Sequence, residues 1–224
     1  MDIAALLLTL RLATVTMLIL LLLTLPLAYW LASTHWRGKI FIEALVALPI
    51  VLPPTVLGFY FLVLLGPQTA FGRLITHLLG HPLAFSFSGL VVGSVLYSLP
   101  FAVQPMVAGF AAVDPALLEA AAVLGSGRWN TLRRVVLPLS RGSILAAAVL
   151  TFAHTIGEFG VVLMIGGNLP GVTRTLSIAL YDQVQDFSYA QANRTAWLLL
   201  AVSFAALLLL YSLRQRAFGK RSLV

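Results

Sequence analysis

Cysteine is absent from the 224 residues, so neither a disulfide framework nor a thiolate metal site can form. Charge is nearly as scarce. Asp, Glu, Lys and Arg make up 9% of the chain, whereas hydrophobic residues make up 60%, and an ordinary soluble domain carries about 25% charged residues. This balance describes an integral membrane protein. Four scattered histidines and unclustered acids give no convincing metal site. No Ser–His–Asp or paired-carboxylate set points to catalysis, and no Gly-Lys-Ser/Thr loop is present to cradle a phosphate. The chain therefore reads as neither an enzyme nor an ATPase, with no cofactor of its own. The net charge of +7 invites a nucleic-acid reading, but the basic residues stand at the ends of apolar runs, where membrane topology puts them. The first apolar run lacks a basic leader and a small-residue cleavage site, so it reads as a retained span.

A spanning helix needs roughly 20 mostly apolar residues. Five stretches qualify: Leu12–Leu31, Phe41–Leu65, Phe85–Phe110, Leu139–Ile165 and Thr195–Leu213. The second and third contain Pro49, Pro53, Pro54, Pro100 and Pro105 and are expected to be kinked or partly broken. Residues 71–83 are the place where a sixth span would have to lie; their Arg, two His and Gly-His-Pro turn favour an outer loop. Leu176–Tyr181 is too short to span and reads as re-entrant or interfacial. With the N-terminus outside, ten basic residues fall inside: Arg37, Lys39, Arg128, Arg133, Arg134, Arg141, Arg214, Arg216, Lys220 and Arg221. Only Arg11, Arg73, Arg174 and Arg194 fall outside, so the positive-inside bias selects N-out, C-in, with 111–138 in the cytoplasm. No internal repeat is visible, and 1–224 reads as a single transmembrane domain. Five helices offer few walls for a central passage, which favours a dimer. Gly89-Leu-Val-Val-Gly93 can allow a close helix crossing.

The most polar stretch between spans runs from Asp114 to Pro138. Asp114 suits an N-cap and Pro115 a first helical position. Glu119 follows with Ala120 and Ala121, and Gly125-Ser-Gly127 breaks the helix. A second short helix, about Arg128–Val136, places Trp129, Leu132, Val135 and Val136 on one side with Arg128, Arg133 and Arg134 largely elsewhere. Trp129 and Leu132 are candidate apolar anchors for a partner, and Pro138 stiffens the link to the next span. Periodicity alone equally describes a juxtamembrane helix lying on anionic lipid.

The second informative stretch is His154-Thr-Ile-Gly157-Glu158-Phe159-Gly160, followed by Ile165-Gly-Gly-Asn168-Leu-Pro-Gly171 and Thr173-Arg174-Thr175. Glu158 lies deep in a span, where a carboxyl must be paired, neutral or facing a polar passage. His154 at i−4 is a natural partner. The pair is read either as a gate or wall of a passage, or as a structural pair holding a bent helix. Arg174 at the outer mouth is read either as an attractor of anions or as simply solvated.

Glu119-Ala-Ala, three residues, Gly125, nine residues, then Val135-x-Leu137-Pro138 resembles the loop of permease subunits of binding-protein-dependent ABC importers. In that family the loop is a coupling helix that docks on a separate nucleotide-binding subunit. Ala153–Gly160, the Gly-Asn-Leu-Pro-Gly turn and Thr173–Tyr181 resemble the molybdate (or tungstate) branch and, less closely, the sulfate/thiosulfate permeases; Asp186-Phe-Ser-Tyr189-Ala-x-Ala192 resembles the sulfate branch. The resemblance covers about residues 10–215. It implies an all-α, type I importer-like bundle in the cytoplasmic membrane, working as a homodimer with two ATPase subunits that hold ATP and Mg. It also implies an extracytoplasmic oxyanion-binding protein, with molybdate or tungstate as substrate. A sulfate permease and an ion-coupled carrier remain the alternatives; the carrier would work without an ATPase.

Overall fold

A computed structural model describes residues 2–218, with side chains through Ser212; Lys220 and Arg221, counted above beside the last span, lie outside the described residues. Every regular element among the described residues is helical. Three helices are long and apolar enough to cross a membrane: α1 (Ile3–Ser33), α5 (Phe87–Ala111) and the Tyr189–Ser212 part of α12 (Tyr189–Phe218). Two sharply bent pairs would bring the number to five if each is one span. The first is α2 (Lys39–Val51) with α3 (Pro54–Leu65); the second is Arg128–Leu139 with α9 (Arg141–Gly157).

α1 begins nine residues before the expected span. Asp2 caps it by accepting the Ala5 N–H at 2.9 Å. Arg11, which breaks the apolar run in sequence, sits 4.3 Å from the centroid of the Phe87 ring, and an aromatic face is a favourable seat for a guanidinium. Along the inward stripe of α1, Leu12, Leu20 and Ala28 alternate with Thr9, Thr16 and Thr24, all buried. Thr9 and Thr24 return their hydroxyl protons to the carbonyls of Ala5 and Leu20, which makes those hydroxyls tolerable in an apolar interior. α5 and α9 close on this stripe and complete the core.

Proline acts differently in the two expected kinked spans. α5 carries Pro100 and Pro105 and stays one helix; each isolated proline forfeits one backbone bond. Pro53 and Pro54 remove two successive donors and bias the preceding residue out of the helical region. There the chain turns by 110° and α3 restarts with Pro54 in its first turn. The fourth expected span is also interrupted. α9 ends at Gly157 and α10 (Gly160–Gly166) begins after Glu158 and Phe159.

Residues 71–83, expected as loop, contain the helix α4 (Ala70–Leu79). Thr69 caps it by accepting the Gly72 N–H, and Gly80 ends it at φ 74°. Its ten residues are too few to span, so no sixth crossing arises there.

α10 fits between α3 and α5 because glycines face it. A Cβ at Gly93 would come within 2.4 Å of Ile165, one at Gly58 within 2.7 Å of the Met164 Cβ, and one at Gly160 within 2.7 Å of the Pro54 Cβ. The Gly89–Gly93 pair thus permits a close crossing inside the chain, against α10. Gly58→Val should force α3 off α10, at a cost of about 1–3 kcal/mol for overpacking. A fall of several degrees in the melting temperature of the detergent-solubilised protein checks this, with Gly127→Ala, which meets nothing within 4 Å, as the unaffected control.

Candidate functional site

The Glu119 loop folds as its composition suggests, up to a point. Asp114 accepts the Ala116 N–H at 2.9 Å and α6 (Pro115–Val123) follows. Gly125, at φ 71°, ends it: the Ser126 N–H reaches the Ala121 carbonyl and the Gly125 N–H the Ala122 carbonyl, both at 2.9 Å. This paired closure needs a left-handed residue after the helix, which glycine adopts without strain. The chain then enters α7 (Arg128–Thr131), one π-helical turn (Leu132–Val136) and α8 (Leu137–Leu139). The helix therefore runs through Pro138 instead of ending before it. Proline 138 offers no N–H, and the Leu137 N–H bonds five residues back to Leu132, the wider turn that accommodates the lost donor.

The faces of this segment differ from expectation. Trp129 is 68% exposed, but Leu132 and Val136 are buried against Ala28, Met106, Phe110, Val113 and Ala147. Leu132 is thus a root of the loop in the core and unavailable as a partner anchor; the π turn helps carry Leu132 and Val136 onto the inner face. Glu119, Ala120, Arg128 and Trp129 are exposed, Ala121 is buried, and Leu137 and Pro138 are half-buried. Two exposed apolar residues missed in sequence stand beside Gly125: Val123 at 88% and Leu124 at 86%. Their position next to a left-handed glycine after an alanine run was the available signal. Ser140 pins the far side of the loop by donating to the Gly109 carbonyl at 3.0 Å.

Deeper in the bundle, His154 and Glu158 do not pair. His154 Nδ1 lies 2.9 Å from Ser98 Oγ, and its ring stacks on Phe101 at 3.9 Å between centroids, with Tyr97 at 4.9 Å. Glu158 follows the last residue of α9 in extended conformation, so the i−4 relation that would align the two is broken. Glu158 is 4% exposed, its carboxyl oxygens are sealed from solvent, and the group beside them is the buried Ser94 hydroxyl of α5. Its own carbonyl accepts from the Ser177 hydroxyl, which ties the helix break to α11 (Leu176–Gln185). Pro54, Thr55, Tyr97, His154, Glu158 and their neighbours Gly157, Phe159 and Gly160 line a cleft of about 480 Å³.

The turn after α10 is closed by charge. Arg174 Nε donates to Asn168 Oδ1 at 2.6 Å, Arg174 Nη2 lies 3.1 Å from Asp182 Oδ2, and Asn168 Nδ2 donates to the same carboxylate at 2.7 Å. Arg174 keeps part of its side chain in solvent, but its charge is paired with Asp182, and it fastens residues 166–174 to α11. Asp182 and Ser98 escaped the sequence reading because their partners come from other elements. Gly167 and Gly171, both at positive φ, shape the turn, and Thr173 donates to the Gly166 carbonyl across it. The short apolar piece Leu176–Tyr181 forms the first part of α11, which extends to Gln185. Its first N–H is taken by the Thr9 hydroxyl of α1 at 2.9 Å, so it is buried at one end.

The sequence pattern of the family described as binding-protein-dependent transport system inner membrane component matches residues 21–224. The molybdenum transport system permease protein ModB of Azotobacter vinelandii is 51% identical over 218 residues, covering 97% of this chain and 96% of its own. The sulfate transport system permease protein CysT of Escherichia coli (strain K12) is 31% identical over 196 residues, covering 87% and 69%. Among solved structures, a bacterial ABC transporter involved in import of the acidic polysaccharide alginate superposes with a TM-score of 0.78 at 20% identity, over 96% of this chain and 79% of that one. That likeness concerns the fold.

Breaking the charged fastening has a measurable consequence. Asp182→Asn should loosen residues 167–174 and raise their amide hydrogen exchange about fivefold, as expected for a partly exposed ion pair of about 1 kcal/mol; unchanged exchange would show that the glycine turn holds itself.

Proposed function

Because the chain belongs to the binding-protein-dependent transport system inner membrane component family, we propose that it is the permease subunit of an ATP-driven importer that moves molybdate across the cytoplasmic membrane. The observation that carries the substrate is the 51% identity, over 97% of the chain, to a molybdenum transport permease. Tungstate, a tetrahedral dianion of the same shape, is expected to compete. The sulfate reading has one observation in its favour, the 31% identity to a sulfate permease, and it is the weaker of the two.

The working assembly is two copies of this chain, two cytoplasmic ATPase subunits that hold ATP and Mg, and an extracytoplasmic oxyanion-binding protein. Residues 1–224 form one membrane domain, N-terminus outside and C-terminus inside, supported by the ten-to-four distribution of basic residues. The Glu119 loop faces the ATPase. Val123, Leu124 and Trp129 supply its apolar contact, and large exposed apolar and aromatic side chains are the usual anchors of such interfaces. Glu119 and Arg128 supply charge beside them. Leu132 and Val136 are packed among residues of α1, α5 and α9, so a displacement of the loop moves those helices as a block. Close packing makes such a block shift between discrete arrangements more readily than it deforms. His154, Gly157, Glu158, Phe159 and Gly160 form a wall of the passage, and the Asn168–Arg174–Asp182 fastening shapes its outer mouth.

Two measurements test this reading. Gly125→Val imposes a left-handed conformation on a β-branched residue, at a cost of about 1–2 kcal/mol or more, and Glu119→Lys reverses an exposed charge. Both should cut substrate-stimulated ATP hydrolysis about tenfold while membrane insertion persists; normal stimulation would remove the loop from coupling. In proteoliposomes holding this chain, its ATPase and its binding protein, labelled molybdate should enter only with ATP, and tungstate should block it while sulfate does not. Uptake without the ATPase would instead establish an ion-coupled carrier.

A further inference from the structure

One cation faces the lipid side of the bundle with no acid to meet it. Arg11 is exposed on α1, on the same outward stripe as Leu7, Leu18 and Leu22. α1 is 31 residues long, about 46 Å, against a hydrocarbon core about 30 Å thick. The run Leu12–Leu31 fills that core and the helix ends just beyond it, at Ser33. The overhang therefore lies at the beginning of α1, and Arg11 stands at the membrane edge. The Phe87 ring receives the guanidinium at 4.3 Å from its centroid, but a ring offers no counter-charge. The one ion pair among the described residues is Arg174–Asp182. Glu43, the sole acid between Asp2 and Asp114, stands on α2, which begins past the other end of α1. A cation so placed is stabilised when an anion meets it.

The same Phe87 ring is a wall of an apolar groove of about 480 Å³. α4 packs on α3 and leaves this groove between itself and the first turns of α5. Ile75, Leu78 and Leu79 line it from α4, and Phe87 and Val91 from α5. Ser88 also lines it, but its hydroxyl lies 2.9 Å from that of Ser86 and is already partnered. α4 is too short to cross a membrane, and it has two faces. Arg73, Thr76 and His77 share one; Phe71, Leu74 and Leu78 share the other and are exposed. A helix of this kind lies in the membrane interface with its apolar face among the acyl chains. Leu12, next to Arg11, packs with Leu90, Phe87 and Val91. The groove thus runs from the level of Arg11 into the hydrocarbon.

We propose that the groove between α4 and α5 holds an acyl chain of an anionic phospholipid whose headgroup phosphate pairs with Arg11. The lipid straddles Phe87, its chain on the groove side of the ring and its phosphate at the guanidinium. Charge selects the headgroup. Arg11 and Arg73 are cations of this edge, and α1, α4 and α5 carry no acid, so a net negative headgroup is favoured over a zwitterionic one. A second copy seated through the same face would bring cations against cations. The leaflet is the one at which α1 and α5 begin, the outer one in the orientation proposed above. The site needs only a bilayer and is independent of the ion carried.

The test titrates the purified, delipidated protein in detergent with phosphatidylglycerol or phosphatidylcholine and counts bound lipid by native mass spectrometry. Phosphatidylglycerol should bind about fivefold more tightly, and Arg11→Gln should abolish that preference, the scale of one basic residue at an anionic surface. Arg11→Lys should keep most of it. Leu78→Asn, on the exposed wall of the groove, should weaken both lipids by a similar factor because the chain loses apolar contact. Arg194→Gln, which removes an exposed cation on α12, should match the wild type. Melting temperatures of the lipid-free variants separate lost binding from lost folding. Equal affinity for the two lipids overturns the site, as do folded Arg11→Gln and Leu78→Asn variants that match Arg194→Gln. Leu78→Cys adds the sole thiol to a chain without cysteine. Oxidation in membranes should give no disulfide-linked dimer; one that forms there seats a second copy in the groove and also overturns the lipid. Transport is not read in these measurements, so loss of this site leaves the importer reading standing.

Discussion

A membrane bundle has almost no water inside to satisfy stray polar groups, and that constraint orders most of what this chain does. Where hydroxyls enter the α1–α5–α9 core, many find a partner at once: Thr9 and Thr24 bond their own helix, and Ser98 meets His154 and Thr155. Where the backbone leaves the helix it is either tied or opened to a cleft. The Glu158 carbonyl, freed by the end of α9, is taken by Ser177, and the first N–H of α11 is taken by Thr9. Among the described residues, the buried hydroxyls of Thr16 and Thr151 on α1 and α9 have no hydrogen-bond partner, while Ser94 on α5 faces the buried Glu158 carboxyl.

Glycine serves two separate physical roles. At Gly58, Gly93 and Gly160 it removes side chains so that α3, α10 and α5 come close, which gains dispersion contacts in a setting where apolar burial offers little driving force between helices. At Gly125 it supplies a backbone conformation, and an added Cβ would meet nothing. The first kind fixes how the bundle is packed. The second fixes the shape of an exposed loop whose neighbours, Leu132 and Val136, are anchored in that bundle.

The legible part of the fold came from patterns that are local. Apolar length located the membrane segments, Asp114-Pro115 the start of α6, and Gly125-Ser-Gly its end, because capping and left-handed glycine act within a few residues of where they are written. Proline was less decisive: five prolines suggested bent spans, yet α5 absorbs two of them while the adjacent pair at 53–54 bends the chain by 110°. Only the doubled loss of donors, with both ends of the break packed elsewhere, separates the two cases. The short helix α4 was missed because its Thr69 cap and Gly80 stop enclose too few apolar residues to stand out.

The sequence by itself determined that this is a helical membrane protein, that it has no thiol chemistry, and that a polar loop with Glu119 and Gly125 separates two apolar segments. These follow from composition and from interactions between residues near each other in the chain. Partnerships were decided by the tertiary structure alone. Periodicity offered His154 to Glu158, but the helix ends between them and Ser98, 56 residues away, takes the ring. Helical spacing put Leu132 beside Trp129, and the core of α1, α5 and α9 drew it inward. Arg174 looked free until Asp182 was folded back against it. Each outcome depends on which surfaces meet across long sequence separations, a competition among packed elements that no single stretch of residues records.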